Sequence, residues 1–498
     1  MNEVRKKMFR GVASLGLGAS ASKVISFITT IVTARLLSPE HFGLVAVVTA
    51  VIAFAEIFNH IGLAAAVVQK RRLSQRQLSS CFFLSIALSI LIFSVALSTR
   101  TSLAQFYNND EIGRIFVLIS FSLLINGFSV IHYAIIQKQM RFALIAKIEV
   151  LAVMFQSILT ITLAILKYEA WALAWGILGY STFRSVSYIL SSCWAPSLLF
   201  SIRKSLILIK FGLSVTYTRI TWMLYNKADM VLVGKYSSPI DTGYYTMAMN
   251  LARLPSNTIV SLAMGVAPVT FAKLKHNKNE LFTALNQLTF GLTMVCFPLM
   301  FGLIAIAPEM IPLLLGDKWA DSVILFQLIA VFCCFKCFDP LLTQLLISTG
   351  KQNITALFTT LCAIVIPVAV ALGAINYGVF GAAAAWAICY PLLFVFLLYL
   401  LKKHIQMKLT AYIASMKTPF ITSFSMYFTV FISGVLLETN LELSGTILMT
   451  IKILIGLASF LCFLVLFGRR EIKQIKTALE KLGVPPKLLN FAFFKNIR

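Results

Sequence analysis

Ala34-Arg35-Leu36-Leu37-Ser38-Pro39-Glu40-His41-Phe42-Gly43 joins two apolar runs, and its pattern returns 200 residues later, without gaps, as Gly234-Lys235-Tyr236-Ser237-Ser238-Pro239-Ile240-Asp241-Thr242-Gly243. Both copies read small residue, basic residue, two variable positions, Ser-Pro, three variable positions, Gly. Pro presets φ and cannot donate into a continuing helix, so Ser-Pro begins a turn, while Gly permits a tight entry to the next helix. Each copy follows the first apolar run of a presumed half of the chain. Six runs separate the copies, so they keep one orientation, which predicts two parallel six-helix lobes related by an axis along a membrane normal.

Working outward, the composition agrees. The 498 residues are 59% hydrophobic and 12% charged, with a mean hydropathy of +0.88. A soluble domain carries about 25% charged residues, so a water-soluble enzyme is excluded at once. The apolar residues fall in runs long enough to cross a bilayer as helices. Spans are expected at 11–34, 43–68, 79–99, 115–136, 143–165, 169–192, 211–234, 242–269, 281–304, 321–347, 355–376, 379–401, 418–437 and 445–468. The chain thus reads as an all-α polytopic membrane protein of about 14 helices. Its expected organisation is a six-helix lobe over 1–200, a second over 201–405, two further membrane helices over 406–468 and a basic cytoplasmic tail over 469–498.

The net charge of +25 would suggest nucleic acid in a soluble protein. Here the basic residues sit in short loops, which excludes nucleic acid as the partner and makes the bilayer one. With the N-terminus inside, the cytoplasmic segments hold 29 Lys and Arg and the outer loops 6, so both termini are expected in the cytoplasm. Ala19-Ser20-Ala21 resembles a signal-peptide cleavage site, but the apolar run continues unbroken to Ala34, and a retained first span is the simpler reading. The basic tail is expected on anionic lipid headgroups.

Eight basic residues remain inside the spans, Lys23, Lys147, Arg184, Arg219, Lys227, Arg253, Lys336 and Lys452, with four acids, Glu56, Glu149, Asp229 and Asp339. A lipid-facing charge at mid-bilayer costs about 2.5 to 3.5 kcal/mol, so most of these must face water, a partner or the interface. Helical spacing groups many into stripes. Arg219, Trp222, Asn226 and Asp229 share one face, as do Thr246, Asn250, Arg253, Asn257 and Ser261 in the following span. Lys23, Ser26, Thr30 and Thr33 form another stripe, Thr49, Glu56 and His60 another, and Tyr180, Arg184, Ser187 and Ser191 a fifth. The stripes fall at matching positions of both halves and imply a central polar cavity. The surplus of cations within the spans suits an anion, phosphate or diphosphate above all. Plainer roles compete: Lys336 and Asp339 are three apart and suit a structural pair, Lys452 is within reach of a membrane face and suits snorkelling, Lys147 and Glu149 suit bonds to neighbouring helices, and His60 suits a satisfied polar residue near a helix end.

Other chemistry is not encoded. Gly234-Lys235 and Gly350-Lys351 are not followed by Ser or Thr, so no ATP-binding loop is present, and no HExxH or clustered His suggests a metal. The nine Cys lie in or beside spans and form no disulfide framework, and Cys334 and Cys337 read as buried thiols despite their CxxC spacing. No cofactor and no enzymatic activity are expected. Helix-breaking Pro is confined to the second lobe, at Pro255, Pro268, Pro298, Pro340, Pro367 and Pro391, where it can permit bending.

The turn at Ala34 to Gly43, continued by Leu44-Val45, resembles that of Wzx-type lipid-linked oligosaccharide flippases, in the multidrug/oligosaccharidyl-lipid/polysaccharide exporter superfamily. Asp229, Gly234, Gly243-Tyr244-Tyr245, Ala248, Arg253 and Pro255 are similar to a motif of the colanic acid and teichuronic acid exporter branch, and Leu315-Gly316-Asp317-Lys318-Trp319 resembles a further one. The chain departs from the pattern in its polar stretch Tyr236 to Thr242 and in Lys227 beside Asp229. The resemblance implies alternating access by two lobes and transfer of an undecaprenyl-diphosphate-linked oligosaccharide across the inner membrane for exopolysaccharide or lipopolysaccharide assembly, alongside a polysaccharide polymerase and chain-length proteins. Arg219, Arg253, Lys23 and Arg184 would then hold the diphosphate, Asn226, Asn250, Asn257 and Trp222 would line the sugar path, and Asp229 and Glu56 would couple to a proton or sodium ion. Two other readings compete, a cation-coupled multidrug exporter and a non-catalytic scaffold of a polysaccharide assembly complex.

Overall fold

The computed structural model describes residues 2–59, 63–70, 73–197, 220–440 and 444–468, and among them every regular element is helical. In chain order these are α1 (Asn2–Leu36), α2 (Pro39–Asn59), α3 (Leu63–Gln69), α4 (Gln75–Ser98), α5 (Arg100–Tyr107), α6 (Asp110–Lys138), α7 (Phe142–Ile165) and α8 (Ala170–Ser192). Then come α9, described over 220–236, α10 (Pro239–Leu274), α11 (Lys278–Leu315), a single 3-10 turn (Asp317–Trp319), α12 (Ser322–Lys336), α13 (Asp339–Ser348), α14 (Gln352–Ile405), α15 (Leu409–Asn440) and α16 (Gly445–Phe467).

Eleven of the described helical segments are long and apolar enough to cross a bilayer, with α12 and α13 counted as one. α14 bends at Tyr377 and Gly378, where φ at the glycine is +57°, and is divided there into two helical arms. α8 and α9 are further helices outside those eleven. The chain is therefore a multi-pass membrane protein.

Local chemistry explains several boundaries. Ser74 caps α4 reciprocally with Gln77, and Asn109 and Asn277 accept from the first free N–H groups of α6 and α11. The expected span 281–304 is longer in the structure, because α11 runs on through Pro308 and Pro312 to Leu315. Pro308 has no N–H for the carbonyl of Ile304, and Gln327 of α12 donates to that carbonyl instead, at 3.0 Å. The expected span 43–68 divides into α2, which starts at Pro39, and the separate α3.

By its internal contacts the chain divides into two compact units, Met1–Thr246 with Val370–Val379, and Met247–Ala369 with Phe380–Arg498. The core of the first joins Leu44, Val48 and Ile52 of α2 to Ile112, Phe116 and Leu123 of α6. In the second, Phe297 and Phe301 of α11 meet Phe420 of α15 at ring separations of 5.6 and 5.7 Å. A cavity of about 420 Å³ lies there between α11, α15 and α16, lined by Pro298, Gly302, Met426, Val430 and Phe460 among others, with Lys452 at its edge.

The repeat read from the sequence is visible within the first unit. Its two copies start α2 and α10, and they touch each other. A methyl group at Gly43 would overlap the carbonyl oxygen of Pro239, and one at Gly243 would overlap that of Pro39. Each glycine thus lets the other helix start approach to backbone contact. A polar cavity of about 250 Å³ adjoins the crossing, lined by Tyr107, Asn108, Lys235, Ser237 and Thr242 among others. Lys235 donates to the carbonyl of Phe106 and lies over its ring at 4.6 Å, and the Tyr107 hydroxyl donates to the Val231 carbonyl at 3.2 Å.

Candidate functional site

In the first unit a charged network joins α2, α6, α7 and α8. Residues 180, 184 and 188 of α8 are four apart and share a face. Arg184 lies over the rings of Tyr180 and Tyr188 at 5.6 and 5.9 Å. Both tyrosine hydroxyls donate to Glu149 of α7 at 2.6 Å, and Arg184 Nε stands 3.6 Å from the same carboxylate. Arg184 Nη1 donates to the Tyr180 hydroxyl at 3.4 Å, while its Nε is buried with no hydrogen-bond partner among the described residues. Glu149 therefore has the bonds to a neighbouring helix expected of it, whereas Lys147 is exposed. Glu56 of α2 accepts from Asn126 of α6 at 3.3 Å, and Asn126 Oδ1 accepts from Ser185, the neighbour of Arg184, at 3.5 Å. Ser185 continues the network, donating to Ser129 at 3.0 Å.

Asp229 of α9 is 3% exposed. Its two oxygens accept from the backbone of Met230 at 2.8 Å and from the Tyr245 hydroxyl of α10 at 3.1 Å. On the same helix Asn226 is half-buried and donates to the carbonyl of Trp222, and Trp222 is exposed. Lys23 of α1 is exposed as well. Arg219 and His60 lie outside the described residues.

In the second unit Arg253 of α10 is half-buried, with its guanidinium over Trp386 of α14 at 5.6 Å and over Phe332 of α12 at 5.9 Å. Phe332 packs on Trp386 at 4.4 Å and on Tyr390 at 4.9 Å, so the three rings form one platform. At its far end Asp339 accepts from Lys336 and from Tyr390, each at 2.9 Å. Lys336 and Asp339 thus pair as their spacing predicts. Asn250 and Asn257, of the same helix as Arg253, are exposed.

The structure therefore joins Arg184 to Glu56 in one network. It gives Arg253 a separate aromatic seat and Asp229 a buried one. Sequence reading missed Tyr188, Asn126, Tyr245 and Trp386. For Tyr188 the signal was present in the four-residue steps from Tyr180, but Ser187 was taken into the stripe instead. For Trp386, 133 positions beyond Arg253, no local spacing could have supplied it. Lys452, expected to snorkel, is instead 6% exposed and ion-paired to two glutamates, Glu438 on the preceding helix and Glu309, 143 positions away.

Comparison with known proteins adds to this geometry. The family model described as polysaccharide biosynthesis protein matches residues 32–324. The chain is 25% identical over 315 residues to the succinoglycan biosynthesis transport protein ExoT of Rhizobium meliloti, a match spanning 63% of this chain and 64% of ExoT. It is 24% identical over 445 residues to the teichuronic acid biosynthesis protein TuaB of Bacillus subtilis, covering 86% of this chain and 88% of TuaB. Its fold is similar to that of the lipid II flippase MurJ in an inward closed conformation, with a TM-score of 0.75, 15% identity, and 92% of this chain and 99% of MurJ covered.

Proposed function

Because the chain belongs to the polysaccharide biosynthesis protein family and is a membrane transporter rather than an enzyme, we propose that it flips an undecaprenyl-diphosphate-linked oligosaccharide repeat unit across the inner membrane by alternating access. In this reading the lobes are 1–200 and 201–405, both termini are cytoplasmic, and the flipped unit passes to a polysaccharide polymerase and its chain-length partners. ExoT, a succinoglycan biosynthesis transport protein, and TuaB, a teichuronic acid biosynthesis protein, support a cargo destined for surface polysaccharide. MurJ, of the same fold, is named as a lipid II flippase.

The observation that carries the reading is Arg253, a half-buried guanidinium in a membrane helix seated on Trp386 and Phe332. Stacking holds a guanidinium by its face, so its planar fork of N–H donors keeps the geometry that suits a phosphate. Arg219 and Lys23 add positive charge for the diphosphate, and Asn226, Asn250, Asn257 and Trp222 serve the sugars. Arg184 acts with Glu149 and Glu56 rather than as a lone cation. Protonation of Glu56, or sodium binding there, would loosen its hold on Asn126 and change the charge beside Arg184 by one unit. Asp229, bonded to Tyr245, links α9 to α10 and is the second coupling position.

The test is the lipid fraction of a strain lacking the protein. A complete diphosphate-linked repeat unit should accumulate on the cytoplasmic leaflet, cleared by the wild-type protein and not by Arg253→Ala at equal membrane abundance. Arg253→Lys should restore export in part, since a point charge attracts phosphate without the fork. Normal surface polysaccharide in the Arg253→Ala strain would overturn the assignment.

A further inference from the structure

A titratable cluster that the flipping reading does not use lies within the membrane helices of the second unit. Lys452 of α16 donates to Glu309 Oε1 of α11 and, at 3.0 Å, to Glu438 Oε1 of α15. The side chains of Lys452 and Glu309 are each 7% exposed, and that of Glu438 is 52% exposed. Glu309 Oε2 is buried and has no hydrogen-bond partner among the described residues. Glu309 lies six residues before the end of α11 and Lys452 seven residues past the start of α16, so both sit about 10 Å inside their helix ends at 1.5 Å per residue.

The surroundings seal this cluster. A methyl at Gly434 of α15 would meet Lys452 Cε, so the end of the lysine lies close against that helix. The cavity beside Lys452 is otherwise lined by apolar side chains and glycines. Of the elements packed on α11, α15 brings Glu438 and α16 brings Lys452. The 3-10 turn carries Asp317 and Lys318, and α12 carries Lys336, which is bonded to Asp339. One ammonium between two carboxylates leaves one negative charge, and a buried charge is costly unless it is compensated. Glu438 reaches solvent and can be hydrated, whereas Glu309 cannot. Its orphaned oxygen lacks one partner, a hydrogen, which no described residue supplies.

We propose that Glu309, Glu438 and Lys452 form an intramembrane proton-binding site, with Oε2 of Glu309 as the atom that takes the proton. A hydronium ion at the membrane surface gives its proton to the half-exposed Glu438, which passes it to Glu309. An O–H bond forms at Oε2, the one at water breaks, and the cluster goes from one negative charge to none while Lys452 keeps its protons. The site is remote in sequence from Arg253, Glu56 and Asp229, and proton binding is read without substrate, so its outcome is independent of the flippase reading.

The experiment is infrared spectroscopy of the full-length protein in lipid nanodiscs as the pH is stepped. Wild type should show a protonated-carboxyl band that fades as the pH rises, is lost in Glu309→Gln and fades at lower pH in Glu438→Gln, where Lys452 and Glu309 alone already balance. Lys452→Met removes the neighbouring cation and should shift the fading of the band to higher pH, a comparison that holds even if Glu309→Gln fails to fold. Spectra in which wild type and Glu309→Gln share the same carboxyl bands would overturn the proposal, as would a Lys452→Met titration identical to wild type. A wild-type band removed by sodium at constant pH would assign the site to sodium and equally overturn it.

Discussion

The two copies of the Ser-Pro turn make the same backbone contact with different side chains. At the first, the Ser38 amide donates to His41 Nδ1 at 3.4 Å. At the second, the Ser238 hydroxyl donates to Asp241 at 2.7 Å and accepts from the Asp241 amide at 3.1 Å. What both keep is the glycine five positions after the serine, each against the other copy's proline carbonyl. The difference separates what the crossing requires, which is the missing Cβ, from what each helix start settles locally, which is its cap.

Filling the contact disturbs both turns most. Gly43→Val and Gly243→Val should each cost about 3 kcal/mol or more, since neither backbone carbonyl can move aside, and thermal unfolding in detergent would show it. If one is harmless and the other not, the contact is not reciprocal. Gly43→Ala with Gly243→Ala should cost less than the two singles together, with a coupling of about 1 kcal/mol, because the first methyl already parts the backbones; a double-mutant cycle measures this. Ser238→Ala, which removes a hydroxyl cap, should cost about 1 kcal/mol, and His41→Ala less than that, by the same unfolding assay. Smallest of all is Glu169→Gln. His41 Nε2 and Glu169 stand 3.9 Å apart with the glutamate side chain 67% exposed, so the change should stay within about 0.5 kcal/mol.

The helix count was legible because each crossing needs a long apolar run, and that signal is local. The repeat was legible for the same reason, since small-basic and Ser-Pro-Gly patterns can be read from one strip of chain. That the copies meet was not, because the contact is made by two carbonyls and two absent side chains, and an absence carries no motif. Charge partners followed sequence distance. Lys336 and Asp339, three apart, were paired correctly, but Lys452 was read as snorkelling because Glu309 is 143 positions away. The stripe on α9 and α10 was only partly informative: spacing places Asn250 and Arg253 on one face, yet the first is exposed and the second half-buried against rings from helices far along the chain.

The glycine crossing also bears on which changes the chain can accept. A substitution is ordinarily judged by the surroundings of its own position. Here a side chain gained at Gly43 is refused by the second copy, and one gained at Gly243 by the first. Each turn acts as the other's proofreader at this one point, so a side chain gained at either glycine needs an answering shift of the opposite helix start.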